Sequence, residues 1–169
     1  QSKDSQAEIE KYKRVSDEKL YGDNDLVDEK HLARHCIGLS GIGFSDEEIE
    51  DLADRIREMK KKDTQICCSI GFLTEKQARI LKDAGLDRIN HNLNSSRSFY
   101  PEICTTHTYD QRVNNIKMLQ SLGFEICSGG IVGMGESKED IVDMLMDLRE
   151  INPESVPINF LLPIPGTRL

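Results

Sequence analysis

Cys36, Cys67 and Cys127 are the residues best suited to chemistry. Each ends a short apolar segment and is followed by small residues, as in His35-Cys36-Ile37-Gly38, Ile66-Cys67-Cys68-Ser69-Ile70-Gly71 and Ile126-Cys127-Ser128-Gly129-Gly130. Three thiols placed alike on successive buried strands would meet on one wall of a sheet or barrel. Soft thiolates arriving from separate strands suit an iron–sulfur cluster better than a disulfide, which points toward redox or radical chemistry. Side chains alternate along a strand, so Cys68 should face away from Cys67 and read as a packed core thiol. Cys104 sits in the loop Pro101-Glu102-Ile103-Cys104-Thr105-Thr106 and reads as incidental. The absence of any C-x-x-C argues against a zinc site.

Two polar or flexible runs accompany the thiols. Gly129-Gly130-Ile131-Val132-Gly133-Met134-Gly135-Glu136 joins a strand to a helix. Its glycines allow close backbone approach to a ligand and the helix start offers N–H groups, although a plain tight turn explains the same residues. No Lys-Ser/Thr follows, which excludes a Walker loop. Asn90-His91-Asn92-Leu93-Asn94 places three amides and an imidazole at a strand end. Desolvated together they would need partners, so the run is either an exposed turn or a polar ligand site. Asn159 is a lone amide in the apolar segment Val156–Leu161, bonded to backbone or facing a ligand.

The elements that must position these residues alternate. Strands are predicted over Ala33–Leu39, Gln65–Ile70, Leu86–Leu93, Phe124–Val132 and Ser155–Leu161. Ser45 with Glu48 and Thr74 with Gln77 form capping boxes opening two helices. Further helices are predicted over Tyr109–Leu122 and Ser137–Ile151, the latter opened by Ser137 with Asp140 behind it. Residues 1–32 read as a connection with a short helix near Leu26–Ala33, because Gly22-Asp23-Asn24-Asp25 should break a longer one. Five strands alternating with four helices predict βαβ units and a parallel sheet. Polar residues at several strand ends favour a partial (β/α)8 TIM-type barrel over a doubly wound sheet. The fold class is therefore α/β, a single domain over 1–169 with βα repeats from 33 onward.

The 169 residues carry 22 basic and 30 acidic side chains, a net charge of -8, with a mean hydropathy of -0.50. That balance argues against nucleic acid and anionic membranes as partners, and no apolar run reaches the roughly 18 residues of a membrane helix. Five cysteines without a secretory signal suit a reducing cytoplasm. The polar opening Gln-Ser-Lys-Asp-Ser lacks an initiator Met, as expected of a chain cut from a longer one.

From Cys67 to Leu169 the chain resembles the biotin synthase family of radical S-adenosylmethionine enzymes. The runs that carry the resemblance are Asp87-Arg88-Ile89-Asn90-His91-Asn92-Leu93-Asn94-Ser95-Ser96, Thr105-Thr106-His107-Thr108-Tyr109, Cys127 to Glu136, and Glu154-Ser155-Val156-Pro157-Ile158-Asn159 followed by Pro165-Gly166-Thr167. The spacings from Cys36 to Cys67 and from Cys67 to Cys127 also agree with the family's auxiliary-cluster cysteines.

The resemblance implies a (β/α)8 barrel with two iron–sulfur clusters. A [4Fe–4S] cluster would cleave S-adenosylmethionine to a 5'-deoxyadenosyl radical that abstracts hydrogen from dethiobiotin. An auxiliary cluster, expected to be [2Fe–2S], would supply sulfur to make biotin. By position, Cys36, Cys67 and Cys127 would be its cysteine ligands, with an arginine beyond Leu169. Gly129, Ile131, Gly133 and Glu136 fall in the adenosine-contacting motif, with Ile131 against the adenine. His91, Asn94 and Arg112 fall where the family contacts the rest of S-adenosylmethionine, and Asn92 and Asn159 match its substrate-facing amides. An electron donor such as flavodoxin or ferredoxin is implied. Members often form homodimers, although no periodic apolar stripe marks an interface here.

This chain departs from the pattern in specific places. The C-x-x-x-C-x-x-C motif of the radical cluster is absent, and Gln1 is expected to follow it closely. Asn94 replaces a frequent Asp, leaving a neutral ribose partner. The same residues leave open a relative of hydrogenase maturase or methylornithine synthase type, or a non-catalytic metal-binding barrel fragment.

Overall fold

Residues 14–165 are described by a computed structural model and divide into two compact units between Ile89 and Asn90. The expectations for Gln1 and for Gly166-Thr167 lie outside the described residues. No helix among the described residues is long and apolar enough to cross a membrane.

The first unit contains α1 (Asp17–Glu29), β1 (Arg34–Gly38), α2 (Asp46–Met59), β2 (Gln65–Ser69), α3 (Glu75–Asp83) and the start of β3 (Arg88–Asn90). Both predicted capping boxes form. The Ser45 hydroxyl accepts from the Glu48 N–H at 3.2 Å while the Glu48 carboxylate accepts from the Ser45 N–H at 2.8 Å. Thr74 and Gln77 repeat the arrangement. Such caps contribute about 1 kcal/mol. Burial of Ile49, Leu52, Ala53, Ile56 and Met59 along one face of α2 stabilises the unit more, at roughly 1.5–3 kcal/mol for each large side chain.

β1 and β2 pair in parallel, from Arg34 opposite Gln65 to Gly38 opposite Ser69. Asp87 ties the entry of β3 to β2. Its N–H donates to the Ile66 carbonyl, and its carboxylate accepts from the Ile66 N–H at 2.7 Å and pairs with Lys60 at 3.2 Å.

The N-terminal region corrects the sequence reading. A 13-residue helix runs straight through Gly22-Asp23-Asn24-Asp25, where a connection and only a short helix were expected. Gly costs a helix about 1 kcal/mol against Ala, and non-local contacts outweigh that. Asn24 is buried; its amide donates to the Met59 carbonyl at 3.2 Å and its oxygen meets His35 Nδ1 at 3.2 Å. Leu20 is buried on the same helix, and Ser16 caps it by accepting from the Lys19 N–H.

The second unit contains the end of β3, α4 (Tyr100–Ile103), α5 (Tyr109–Ser121), β4 (Glu125–Cys127), β5 (Gly130–Val132), α6 (Lys138–Ile151) and β6 (Ile158–Phe160). Its core includes Leu93, Tyr100, Ile116, Leu119, Ile126, Met144 and Leu148. The strand predicted over Phe124–Val132 is two strands, broken at Ser128-Gly129. At the break the Gly129 N–H goes to a side chain, Asn92 Oδ1, at 3.1 Å instead of to a neighbouring strand backbone. β5 pairs in parallel with β6, placing Ile131 opposite Asn159.

Candidate functional site

In the first unit the β1/β2 register sets Cys36 directly opposite Cys67. Residues opposed on adjacent parallel strands point to the same face about 4.8 Å apart, and the next residue points to the other. Cys36 is exposed and Cys67 buried, and Cys68 has no exposed surface. Burial, followed by the neighbouring Cys67 and Cys36, pushes the Cys68 thiol far above its ordinary range. Cys68 is thus a neutral packing residue, while Cys36 and Cys67 share the opposite face of the strand pair.

None of the five cysteines forms a disulfide. Among the described residues, no group of three or more His, Cys, Asp or Glu side chains gathers tightly enough to hold a metal ion. A multi-iron cluster spreads its ligand sulfurs over more than one iron, and two soft thiolates side by side on one strand face fit part of such a span. The third expected ligand, Cys127, belongs to the second unit, where its carbonyl accepts from the His91 N–H at 2.9 Å.

The second unit gathers most of the other expected residues. The Asn94 N–H donates to the Gly129 carbonyl at 3.0 Å, and the Asn94 carbonyl accepts from the Ile131 N–H at 2.8 Å. Asn94 holds φ at 73°, a left-handed conformation that Asn tolerates through its short polar side chain. Asn92 braces the same loop through Gly129. His91 is buried. Ile131 and Asn159, as register partners, share one face of the β5/β6 pair.

Glu136 closes the turn after β5. Its carboxylate accepts from the Gly133 N–H at 2.6 Å and from the Met134 N–H at 2.7 Å. Burial lifts the Glu136 pKa, but the N–H groups of Gly133, Glu136, Met134 and Gly135 outweigh it and hold the carboxyl below its usual value. The amides of this turn are therefore engaged by the protein's own carboxylate. Gly133 and Gly135 both adopt positive φ, at 99° and 109°, where an L side chain is strained.

Arg112 is held by two groups that composition does not single out. Its Nε donates to the Tyr100 hydroxyl at 2.8 Å and its Nη2 lies 2.6 Å from His107 Nε2. Tyr100 is buried and stacks edge-on against His107 and Tyr109, with centroids 5.9 and 5.5 Å apart. The Tyr109 hydroxyl donates to Asp147 at 2.6 Å, and the Arg97 guanidinium lies 4.7 Å over the Tyr109 ring.

A second hub is Asp140, expected only as the partner of Ser137. One carboxylate oxygen accepts from the Ser96 and Ser98 hydroxyls at 2.6 and 2.7 Å; the other accepts from the Ser137 N–H and hydroxyl. The hydrogen bonds from Ser96, Ser137 and Ser98, in that order, hold its carboxyl well below the usual carboxylate range. The sequence signal is present as Ser95-Ser96-Arg97-Ser98, but its partner lies over forty residues away.

Strand–helix alternation and parallel pairing agree with a family model. Residues 7–148 match the radical SAM superfamily, and the chain belongs to that superfamily of enzymes. The superfamily implies S-adenosylmethionine and a [4Fe–4S] cluster as its cofactors. Among curated proteins, the chain is 43% identical over 170 residues to a biotin synthase from Sulfurihydrogenibium sp. (strain YO3AOP1), covering 100% of this chain and 51% of that protein. It is 44% identical to a biotin synthase from Rhodopirellula baltica, covering 100% of this chain and 47% of that protein. The chain thus spans about half the length of the curated relatives it matches.

Among solved structures, methylornithine synthase superposes with a TM-score of 0.86 at 17% identity, covering 95% of this chain and 48% of that one. An FeFe-hydrogenase maturase from Carboxydothermus hydrogenoformans gives 0.71 at 17%, covering 96% of this chain and 40% of that one. At these identities the likeness is one of fold: α/β with parallel strands, part of a (β/α)8 barrel.

Proposed function

We propose that this chain is the central portion of the barrel of a biotin synthase, an S-adenosylmethionine-dependent sulfurtransferase that converts dethiobiotin to biotin. The observation that carries the reading is the direct opposition of Cys36 and Cys67 on adjacent parallel strands, in a chain 43% identical along its whole length to a biotin synthase. When bound, the clusters and S-adenosylmethionine supply the radical and the sulfur atom; the protein's part is to hold and orient.

In this reading Cys36, Cys67 and Cys127 hold the auxiliary cluster. Ile131 lies against the adenine. The Asn94 and Gly129 backbone, braced by Asn92, keeps that strand edge in place, and the Glu136 clamp fixes the turn beyond it. Arg112 presents a charged fork to the carboxylate of S-adenosylmethionine, since its guanidinium is planar and always ionised, and Tyr100 with His107 fixes its direction. His91 and Asn94 complete the contacts to S-adenosylmethionine, and Asn159 faces dethiobiotin from beside Ile131. The protein works in the cytoplasm, where thiols stay reduced. It draws electrons from a flavodoxin or ferredoxin and forms a homodimer.

The test is anaerobic assay of the full-length protein after iron and sulfide reconstitution. Biotin and 5'-deoxyadenosine should both form from dethiobiotin, and Cys127→Ala should abolish biotin formation and lower bound iron. Formation of 5'-deoxyadenosine without biotin, at the same rate in the parent and in Cys127→Ala, would assign the protein to a relative without a sulfur-donating cluster.

A further inference from the structure

We propose that Asp140 is a positioning residue for S-adenosylmethionine. By holding the Ser96 and Ser98 hydroxyls it fixes the loop that carries Asn94 beside Ile131, and so sets how tightly the nucleoside is bound. This rests on the reading in which Asn94 and Ile131 flank that nucleoside, and adds to it a residue that acts through others.

A capping box needs only one oxygen of its carboxylate. In α6 that oxygen is Asp140 Oδ2, which accepts from the Ser137 N–H at 3.0 Å and from the Ser137 hydroxyl at 2.7 Å. Oδ1 is left for a segment 44 residues earlier, where it accepts from Ser96 at 2.6 Å and from Ser98 at 2.7 Å. Ser96 has no exposed surface, and its other groups are engaged as well. Its Oγ accepts from the Phe99 N–H at 3.1 Å and its carbonyl from the Tyr100 N–H at 3.0 Å. The chain is thereby pinned to α6 two residues after Asn94. Hydrogen bonds to an ionised carboxylate are stronger than neutral ones, and a buried hydroxyl that loses its partner is costly.

The same face of α6 also supports the strand opposite. Asp140 and Met144 are four residues apart and lie on one side of the helix. A Cβ on Gly130 would overlap Met144 Sδ and lie 3.3 Å from the Asn94 carbonyl oxygen, so Met144 packs against β5 where Asn94 joins it. Between these two supports the Asn94 N–H donates to the Gly129 carbonyl and the Ile131 N–H to the Asn94 carbonyl. Asn94 adopts its φ of 73° at this junction, a conformation that persists when the surroundings impose it. One helix thus sets the spacing between the Asn94 loop and Ile131. A binding edge that holds its competent shape only about a tenth of the time binds its ligand about tenfold more weakly.

The test is anaerobic equilibrium dialysis of S-adenosylmethionine against the reconstituted full-length protein, without reductant so that the ligand is not cleaved. Asp140→Ala and Ser96→Ala should each raise the Kd about tenfold. Ser137→Ala removes the cap hydroxyl, which contributes to helix stability, but keeps the link to Ser96, so its Kd should stay within about twofold of the parent's. Amide exchange in the ligand-free protein should quicken at Asn94 and Ile131 in Asp140→Ala and Ser96→Ala, but not in Ser137→Ala. Equal weakening in Ser137→Ala and Ser96→Ala would mark a general loss of helix stability and overturn the inference. Unchanged affinity in Ser96→Ala, or a parent that does not bind S-adenosylmethionine, overturns it too. If Asp140→Ala folds poorly, Ser98→Ala at an exposed position decides in its place, through a smaller loss of the same kind. A parent that binds S-adenosylmethionine with this pattern of variants but makes no biotin defeats the sulfur-insertion reading while supporting the role of Asp140.

Discussion

Gly129→Ala is a sharp test of how tightly the second unit is built. A Cβ at Gly129 would overlap the Pro157 carbonyl oxygen and lie 2.7 Å from its carbonyl carbon and 2.9 Å from its Cδ. Carbon atoms pack at about 3.5–4.0 Å, so the backbone around Pro157 must retreat by about 1 Å. That backbone accepts from Gly130 N–H at 3.1 Å and is flanked by the Ser128-to-Ser155 and Leu161-to-Val132 bonds at 3.0 and 2.8 Å. Losing two or three such bonds, at about 1 kcal/mol each, costs about 2–3 kcal/mol. For a chain of this size the melting temperature should fall by roughly 5–10 °C. Thermal melts followed by far-UV circular dichroism read this directly. A variant melting within about 2 °C of the parent would mean that β6 is not locked against this loop, and the tight-approach argument would be wrong.

Gly22→Ala should move stability the other way. Gly22 is inside α1, and a Cβ added there would meet nothing within 4 Å, so the helix should gain about 1 kcal/mol; an unchanged or lower unfolding midpoint in urea would contradict a continuous α1. Asp140→Asn should flatten the acid limb of the stability curve. Because folding lowers the Asp140 pKa, its contribution is present above the unfolded value of about 3.9 and is lost as pH falls below it. Melting temperatures measured from neutral pH down to strongly acidic pH should therefore drop less steeply for the variant, and parallel curves would refute the role given to the serine cluster.

The parts of the fold legible in the sequence are those fixed by neighbours along the chain. Ser45 with Glu48 and Thr74 with Gln77 bond within one helical turn, so type and spacing identify them. Strand alternation alone places Cys68 on the face opposite Cys67, and it is buried as expected. What escapes such a reading depends on distant partners. The helix through Gly22 and Asn24 is secured by Met59 and His35. The break at Gly129 is set by an Asn92 side chain. Asp140 is legible as a helix cap but not as the acceptor for Ser96 and Ser98. The family pattern points to Arg112, whereas its supports, Tyr100 and His107, meet it only through the fold of the α4–α5 connection.

The Glu136 clamp has a consequence for recognition. A loop whose amides are already satisfied internally keeps one shape before anything docks, so in the proposed reading an incoming nucleoside would not have to freeze it. Ordering of a flexible loop on binding subtracts from affinity; here that entropic toll has been met during folding. In that reading the rim after β5 should behave as a rigid template, gripping its guest through shape more than through induced adjustment.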